Sequence, residues 1–156
     1  MSFNPPAASR SRSSSAGLGG MTSPNRTFGF VFGLVYVLVG LVGFFVTKGV
    51  GFAATQGKTL IIFNLNPLHN LVHIAIGAVF IAGALGGERP AALVNAVIGA
   101  AYLVVGIAGL FMIGHSLNIL AINQADNGLH FASAVLALGV GAYGLSRKGI
   151  PTGARG

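Results

Sequence analysis

Between Arg26 and Lys48 the chain runs through Thr27–Thr47 without one charged residue. At about 20 residues, such a stretch is long enough to cross ~30 Å of hydrocarbon as an α-helix. Three further apolar stretches follow, over 67–85, 90–113 and 124–145. Backbone N–H and C=O groups in lipid have no water to bond, so each span must satisfy them within itself, as a helix does. Composition points the same way. The chain is 53% hydrophobic and 7% charged, whereas soluble domains carry about 25% charged residues. So few charges cannot keep a soluble surface wet. There is no cysteine, which excludes disulfides and thiolate metal sites. The net charge of +7 sits in tails and loops with no basic stripe interleaved with aromatics, so a nucleic-acid partner is not expected.

The second and fourth stretches open on related octets. Asn66-Pro67-Leu68-His69-Asn70-Leu71-Val72-His73 is followed, 57 positions later, by Asn123-Gln124-Ala125-Asp126-Asn127-Gly128-Leu129-His130. Both read Asn-x-x-(His or Asp)-Asn-x-x-His. The first and third stretches match as well. Gly33, Tyr36, Gly40 and Gly43 recur 66 positions later as Gly99, Tyr102, Gly106 and Gly109. The spacing predicts a duplicated helical hairpin, with the second outer loop nine residues shorter than the first. Each copy crosses twice, so the copies run parallel, related by an axis along the membrane normal. Small residues along one face let helix backbones approach closely in lipid.

Residues 1–26 are rich in Ser, Arg, Pro and Gly and poor in large apolar side chains, as in segments too polar to fold. They are read as a disordered cytoplasmic tail, and 147–156 as a basic cytoplasmic tail. Arg10, Arg12, Arg26, Arg89, Arg147, Lys148 and Arg155 fall on one side, Lys48 and Lys58 on the other. Seven against two places both termini and the turn at Gly86-Gly87 in the cytoplasm. Lys48–Leu65 then forms an outer loop. Its apolar run Leu60-Ile61-Ile62-Phe63 is too short to span and lies in the interface or against the bundle.

Asn66 and Asn123 read as N-caps, whose side chains accept from first-turn N–H groups. Pro67 suits the first helical position, where its missing N–H has no intrahelical partner. Asp126 in the first turn favours the helix dipole. Asn70, Asn127, His73 and His130 go beyond capping. The two histidines lie seven residues past their caps, about 10 Å along the helix, and polar groups at that depth turn inward. Three readings stay open. The Asn and His side chains hydrogen-bond between helices. Or His69 and His73, i and i+4, ligate a metal with His115, Asp126 and His130 in a zinc-like or copper-like set, with a bis-His haem between His73 and His130 as a variant. Or they line a proton or small-solute path, which the half nearer the termini, read as lacking polar residues, does not extend. No nucleophile elbow, phosphate loop or paired carboxylates are present, so an ordinary hydrolase or transferase is not expected.

Asn66–His73 and Ala125–His130, each opening a membrane helix, resemble a family of small four-helix bacterial membrane proteins. That family is largely actinobacterial and is catalogued as a domain of unknown function. The resemblance covers about residues 27–146. It implies a four-helix fold in the bacterial plasma membrane and supplies no activity, cofactor or assigned site.

The sequence is thus read as all-α and polytopic: four transmembrane helices as two parallel hairpin repeats, 27–86 and 90–146. The function expected is a non-enzymatic membrane protein with an outward-facing Asn/His cluster, acting as an accessory or interaction subunit. Its partners would be the lipid bilayer and a second membrane protein or another copy of the chain. The rivals are a metal- or haem-binding membrane protein and a small transporter.

Overall fold

The computed structural model describes residues 23–147. Four helices carry the chain: α1 (Pro24–Val46), α2 (Pro67–Leu85), α3 (Glu88–Met112) and α4 (Gln124–Ser146). Their 19 to 25 residues give lengths of about 28–37 Å at 1.5 Å per residue. All four are long and apolar enough to cross a membrane, and the chain is a multi-pass membrane protein. Most of each helix surface is exposed and apolar, with Phe45, Val97, Val104 and Val135 among the outward side chains. In water such a surface is an aggregation liability; in lipid it is solvated.

α1 packs along α2 and α3 along α4, while contacts between the two hairpins are sparser. Each hairpin closes over glycine. A Cβ on Gly77 would lie 2.6 Å from the Gly33 carbonyl oxygen, and one on Gly99 would lie 2.7 Å from the Leu138 backbone nitrogen. The close approaches fall at matching positions. Gly33 meets Ile81 and Gly99 meets Leu138; Gly40 meets Ile74 and Gly106 meets Phe131; Gly43 meets Asn70 and Gly109 meets Asn127. Every pair follows the offsets of 66 and 57. Between the hairpins lies a core of Tyr36, Phe80, Ile98, Tyr102, Ala134 and Ala137.

The caps stand where the sequence places them. The Asn66 side chain accepts from His69 N with Pro67 at the helix start, and Asn123 and Asp126 form a reciprocal capping box. The turn is tight, with Gly87 at φ 114°, a conformation that suits glycine.

Three boundaries differ from the sequence reading. α1 starts at Pro24 with Ser23 as its cap, so the assigned tail of 1–26 loses its last residues to the helix; residues 1–22 lie outside the described part. Ser-Pro is the same start signal as Asn-Pro. α3 starts at Glu88, whose carboxylate sits in the first turn, where the dipole favours it. The first outer loop is not irregular throughout. Lys58–Leu60 pairs antiparallel with Phe63–Leu65 around the two residues Ile61-Ile62, and Ile61 takes φ 61°. A β-branched residue is rarely found there.

At the end holding the tight turn, polar groups cluster where none were expected. Asn95 Nδ2 donates to Asn25 Oδ1 at 3.0 Å and to the Asn25 carbonyl at 3.1 Å. Asn25 Nδ2 donates to Glu88 Oε1 at 2.9 Å, and Arg26 Nε donates to the Ala84 carbonyl at 2.8 Å. The half nearer the termini is therefore not bare of polar side chains. Asn25 and Asn95 are fully buried and tie α1 to α3. Asn95→Ala is expected to cost about 1–3 kcal/mol, because it strips both Asn25 acceptors of a buried donor. Denaturant unfolding in detergent measures this; stability equal to wild type would show the bond to be dispensable.

Candidate functional site

The two octets stand side by side at the other end of the bundle. Their caps do more than start helices. Asn66 Nδ2 donates to the Ala54 carbonyl at 2.8 Å and, across the hairpins, to the Ile119 carbonyl at 2.7 Å. Asn123 Nδ2 donates to the Ile62 carbonyl at 2.8 Å. Ile62 and Ile119 are 57 positions apart, as the two caps are. Each cap thus reaches over and holds the loop that precedes the other. Asp126 Oδ2 accepts from its own cap nitrogen at 2.9 Å and from Asn64 N, in the first loop, at 3.0 Å. His69, its counterpart, donates from Nδ1 to the Asn64 carbonyl at 3.2 Å. Four first-turn residues and two loops form one reciprocal clasp. Within the second loop Asn118 braces the chain through two bonds to Ile122, at 2.8 and 2.9 Å.

One turn further in, Asn70 Nδ2 donates to Thr47 Oγ1 at 2.9 Å. Thr47 corresponds to Ile113, so Asn127 has no such hydroxyl opposite it. Asn70 Oδ1 and Asn127 Oδ1 are both buried without a partner, each against the glycine that makes room for it, Gly43 and Gly109.

Deeper still, each remaining histidine meets the tyrosine of its own hairpin. Tyr36 and His73 have ring centroids 5.3 Å apart, and Tyr102 and His130 5.4 Å apart. His69 lies near both histidines, with its ring centroid 4.4 Å from His73 and 6.2 Å from His130. The two tyrosines face one another at 5.6 Å, and the Tyr36 and Ser133 hydroxyls are hydrogen-bonded at 3.0 Å. His73 is 8% exposed and His130 5%, and the Nδ1 of each is buried with no hydrogen-bond partner.

The ligand set read from the sequence is thereby divided. His69, His73 and His130 come together. His115 lies exposed in the loop after α3, away from them, and the Asp126 Oδ2 is spent on two backbone N–H groups. Among the described residues no group of three or more His, Asp or Glu side chains is spaced to hold a metal ion. Among the described residues no hydrogen bond joins His73 to His130, and His69 lies close to both rings. Of the four asparagines, Asn66 and Asn123 are on the clasp, and Asn70 and Asn127 each stand against the glycine of their own hairpin. Sequence reading missed Thr47, Asn118 and Ser133 as polar contacts, and treated Tyr36 and Tyr102 as packing markers only. Their types gave a signal, since a polar side chain inside an apolar span needs a partner.

The model of a family described as a domain of unknown function (DUF4383) matches residues 26–143. That span holds both hairpins, and the chain belongs to this family. No curated protein and no solved structure matches it.

Proposed function

We propose that this chain is a non-enzymatic plasma-membrane protein, an accessory or interaction subunit built from two ancestral hairpin copies. The observation that carries this reading is the reciprocal clasp. The first-turn groups of both octets are engaged in holding loops and helices together, which is scaffold work. Both termini face the cytoplasm and the clasp faces outward, supported by the seven basic residues assigned to one side against two on the other.

Two measurements test this. The chain has no native cysteine, so single cysteines report topology cleanly. Gln56→Cys and Ser116→Cys, both at exposed loop positions, are expected to react with an impermeant thiol reagent applied to whole cells. Pro90→Cys is expected to react only after lysis; the opposite pattern would refute the orientation. Purification from native membranes is expected to bring a second membrane protein, or a further copy, at fixed ratio. A stoichiometric metal or a Soret band in the purified protein would overturn the scaffold reading in favour of ligation.

A further inference from the structure

A cleft at the end holding the tight turn is lined by charge. It has a volume of about 460 Å³ and lies where α1 and α3 begin and α4 ends, between Ser23, Pro24, Glu88, Arg89, Gly144 and Arg147. Its charges do not cancel. The Glu88 carboxylate is tied to the bundle: Oε1 accepts from Asn25 Nδ2 at 2.9 Å, and Asn25 is fully buried against Gly144. Arg89 has no hydrogen-bond or ion-pair partner among the described residues. Arg147 lies 5.4 Å from the centroid of the Tyr143 ring and donates from Nη1 to the Tyr143 hydroxyl at 3.2 Å. That contact steadies the guanidinium and leaves its other N–H groups to a ligand. α3 starts without a side-chain cap, so the positive end of its dipole adds to the same sign.

The occupant follows from where the cleft lies. It stands at the ends of helices that span the membrane, at the level where hydrocarbon gives way to headgroups. Further in, the seam between α1 and α4 carries an apolar groove of about 260 Å³ along Val31, Val35, Leu129 and Ser133. The cleft and the groove share one line. At 3.6 residues per turn, Pro24, Val31 and Val35 fall within about 40° of arc on α1. Leu129, Ser133, Gly144 and Arg147 fall within about 60° on α4. From Pro24 to Val31 is a step of about 10 Å along the helix. A molecule with an anionic phosphate at one end and a hydrocarbon chain at the other matches both; a soluble phosphate or an acidic peptide matches only the first. Guanidinium groups bind phosphate oxygens through paired N–H bonds, and basic pockets between membrane helices hold lipid headgroups. We propose that Arg89 and Arg147 bind the phosphate of an anionic phospholipid in this cleft, with one acyl chain lying in the α1–α4 groove.

The full chain, freed of lipid in a neutral detergent, is titrated with dioleoyl phosphatidylglycerol and followed by native mass spectrometry. Dioleoyl phosphatidylcholine and inorganic phosphate are the comparison probes. One phosphatidylglycerol per chain is expected to bind saturably, more tightly than either comparison. Arg89→Gln plus Arg147→Gln is expected to weaken it about ten-fold or more. Both side chains are exposed, so the variant is expected to melt like wild type in detergent alone; either single change decides the matter if the pair does not fold. Arg10→Gln plus Arg12→Gln removes the same charge from the same chain end, outside the cleft, and is expected to leave binding unchanged. Val35→Phe narrows the groove from the lipid side and is expected to weaken binding too. Equal binding by wild type and the Arg89/Arg147 variant, or an equal loss in the Arg10/Arg12 control, would overturn the cleft as a site. Phosphatidylcholine bound as tightly would overturn the selection by charge, and inorganic phosphate bound as tightly would overturn the lipid as occupant. Val35→Phe binding like wild type would overturn the placement of the acyl chain.

Discussion

Gly77→Val is expected to prevent α1 and α2 from closing, with loss of most folded protein. At Gly77 even a Cβ would lie 2.6 Å from the Gly33 carbonyl oxygen and 2.9 Å from the Val37 backbone nitrogen. Both obstacles are backbone, so no rotamer change relieves them, and the helices must part. Overpacking a filled core costs about 1–3 kcal/mol and occasionally more. Here the cost spreads along the hairpin, because in lipid close packing itself is a main force holding helices together. A parted α1–α2 pair also loses its hold on Phe80 and Tyr36, which belong to the core between the hairpins. The matched control is Gly139→Ala. Nothing lies within 4 Å of a Cβ there, and alanine is the better helix former by about 1 kcal/mol, so that variant is expected to melt at or slightly above wild type. Thermal melts and gel filtration in detergent compare the two. A Gly77→Val protein that elutes and melts like Gly139→Ala would show that the glycine contact is not what closes the hairpin.

How much of this was legible beforehand depends on which residues carry the signal. The four spans were readable because lipid imposes length and apolarity together, and Thr27–Thr47 offers nothing else. The caps were readable because Asn-Pro and Asn-x-x-Asp are local signals, complete within four residues. The matched glycines could be aligned, but not what each one faces, since the Gly43–Asn70 contact joins residues 27 positions apart. The first-loop hairpin was hidden by its turn. Two-residue hairpin turns are normally marked by Gly or Asn, and Ile61-Ile62 carries neither. Asn25 and Asn95 were overlooked because they break the repeat: their matching positions hold Ala91 and Gly29. A search guided by symmetry passes over such residues, though a buried amide inside an apolar span is itself a signal. The division of the histidines was out of reach. His115 shares its residue type with His69, and only the path of the second loop, braced by Asn118, takes it away from the centre.

The clasp should be measurable one bond at a time. Asn66 is fully buried and makes three bonds: it accepts from His69 N at 2.8 Å and donates to the Ala54 and Ile119 carbonyls. Asn66→Ala removes a cap, worth about 1 kcal/mol, and strands two carbonyls, each costing about 1–3 kcal/mol where water cannot reach. Both carbonyl bonds are only partly buried, so the lower end of that range applies, and a loss of roughly 3–4 kcal/mol is expected. Asn123→Ala removes one cap and one loop bond at a partly exposed position, where water replaces the lost donor to Ile62, and should cost roughly half as much. Asn66→Ser separates the two roles. Its hydroxyl still accepts from His69 N, but it is too short to reach both loop carbonyls, so it should recover about the cap and no more. The double variant Asn66→Ala plus Asn123→Ala is expected to fall short of the sum by about 0.5 kcal/mol or more, because both bonds hold the same pair of loops and the first break already loosens the second. Unfolding in detergent gives the energies, and hydrogen exchange at Ile62 and Ile119 reports the loops. Full recovery by Asn66→Ser would mean that the cross-hairpin bonds contribute nothing. Strict additivity, with each loop opening on its own, would mean that the two caps are separate helix starts and that the hairpins are joined only by their core.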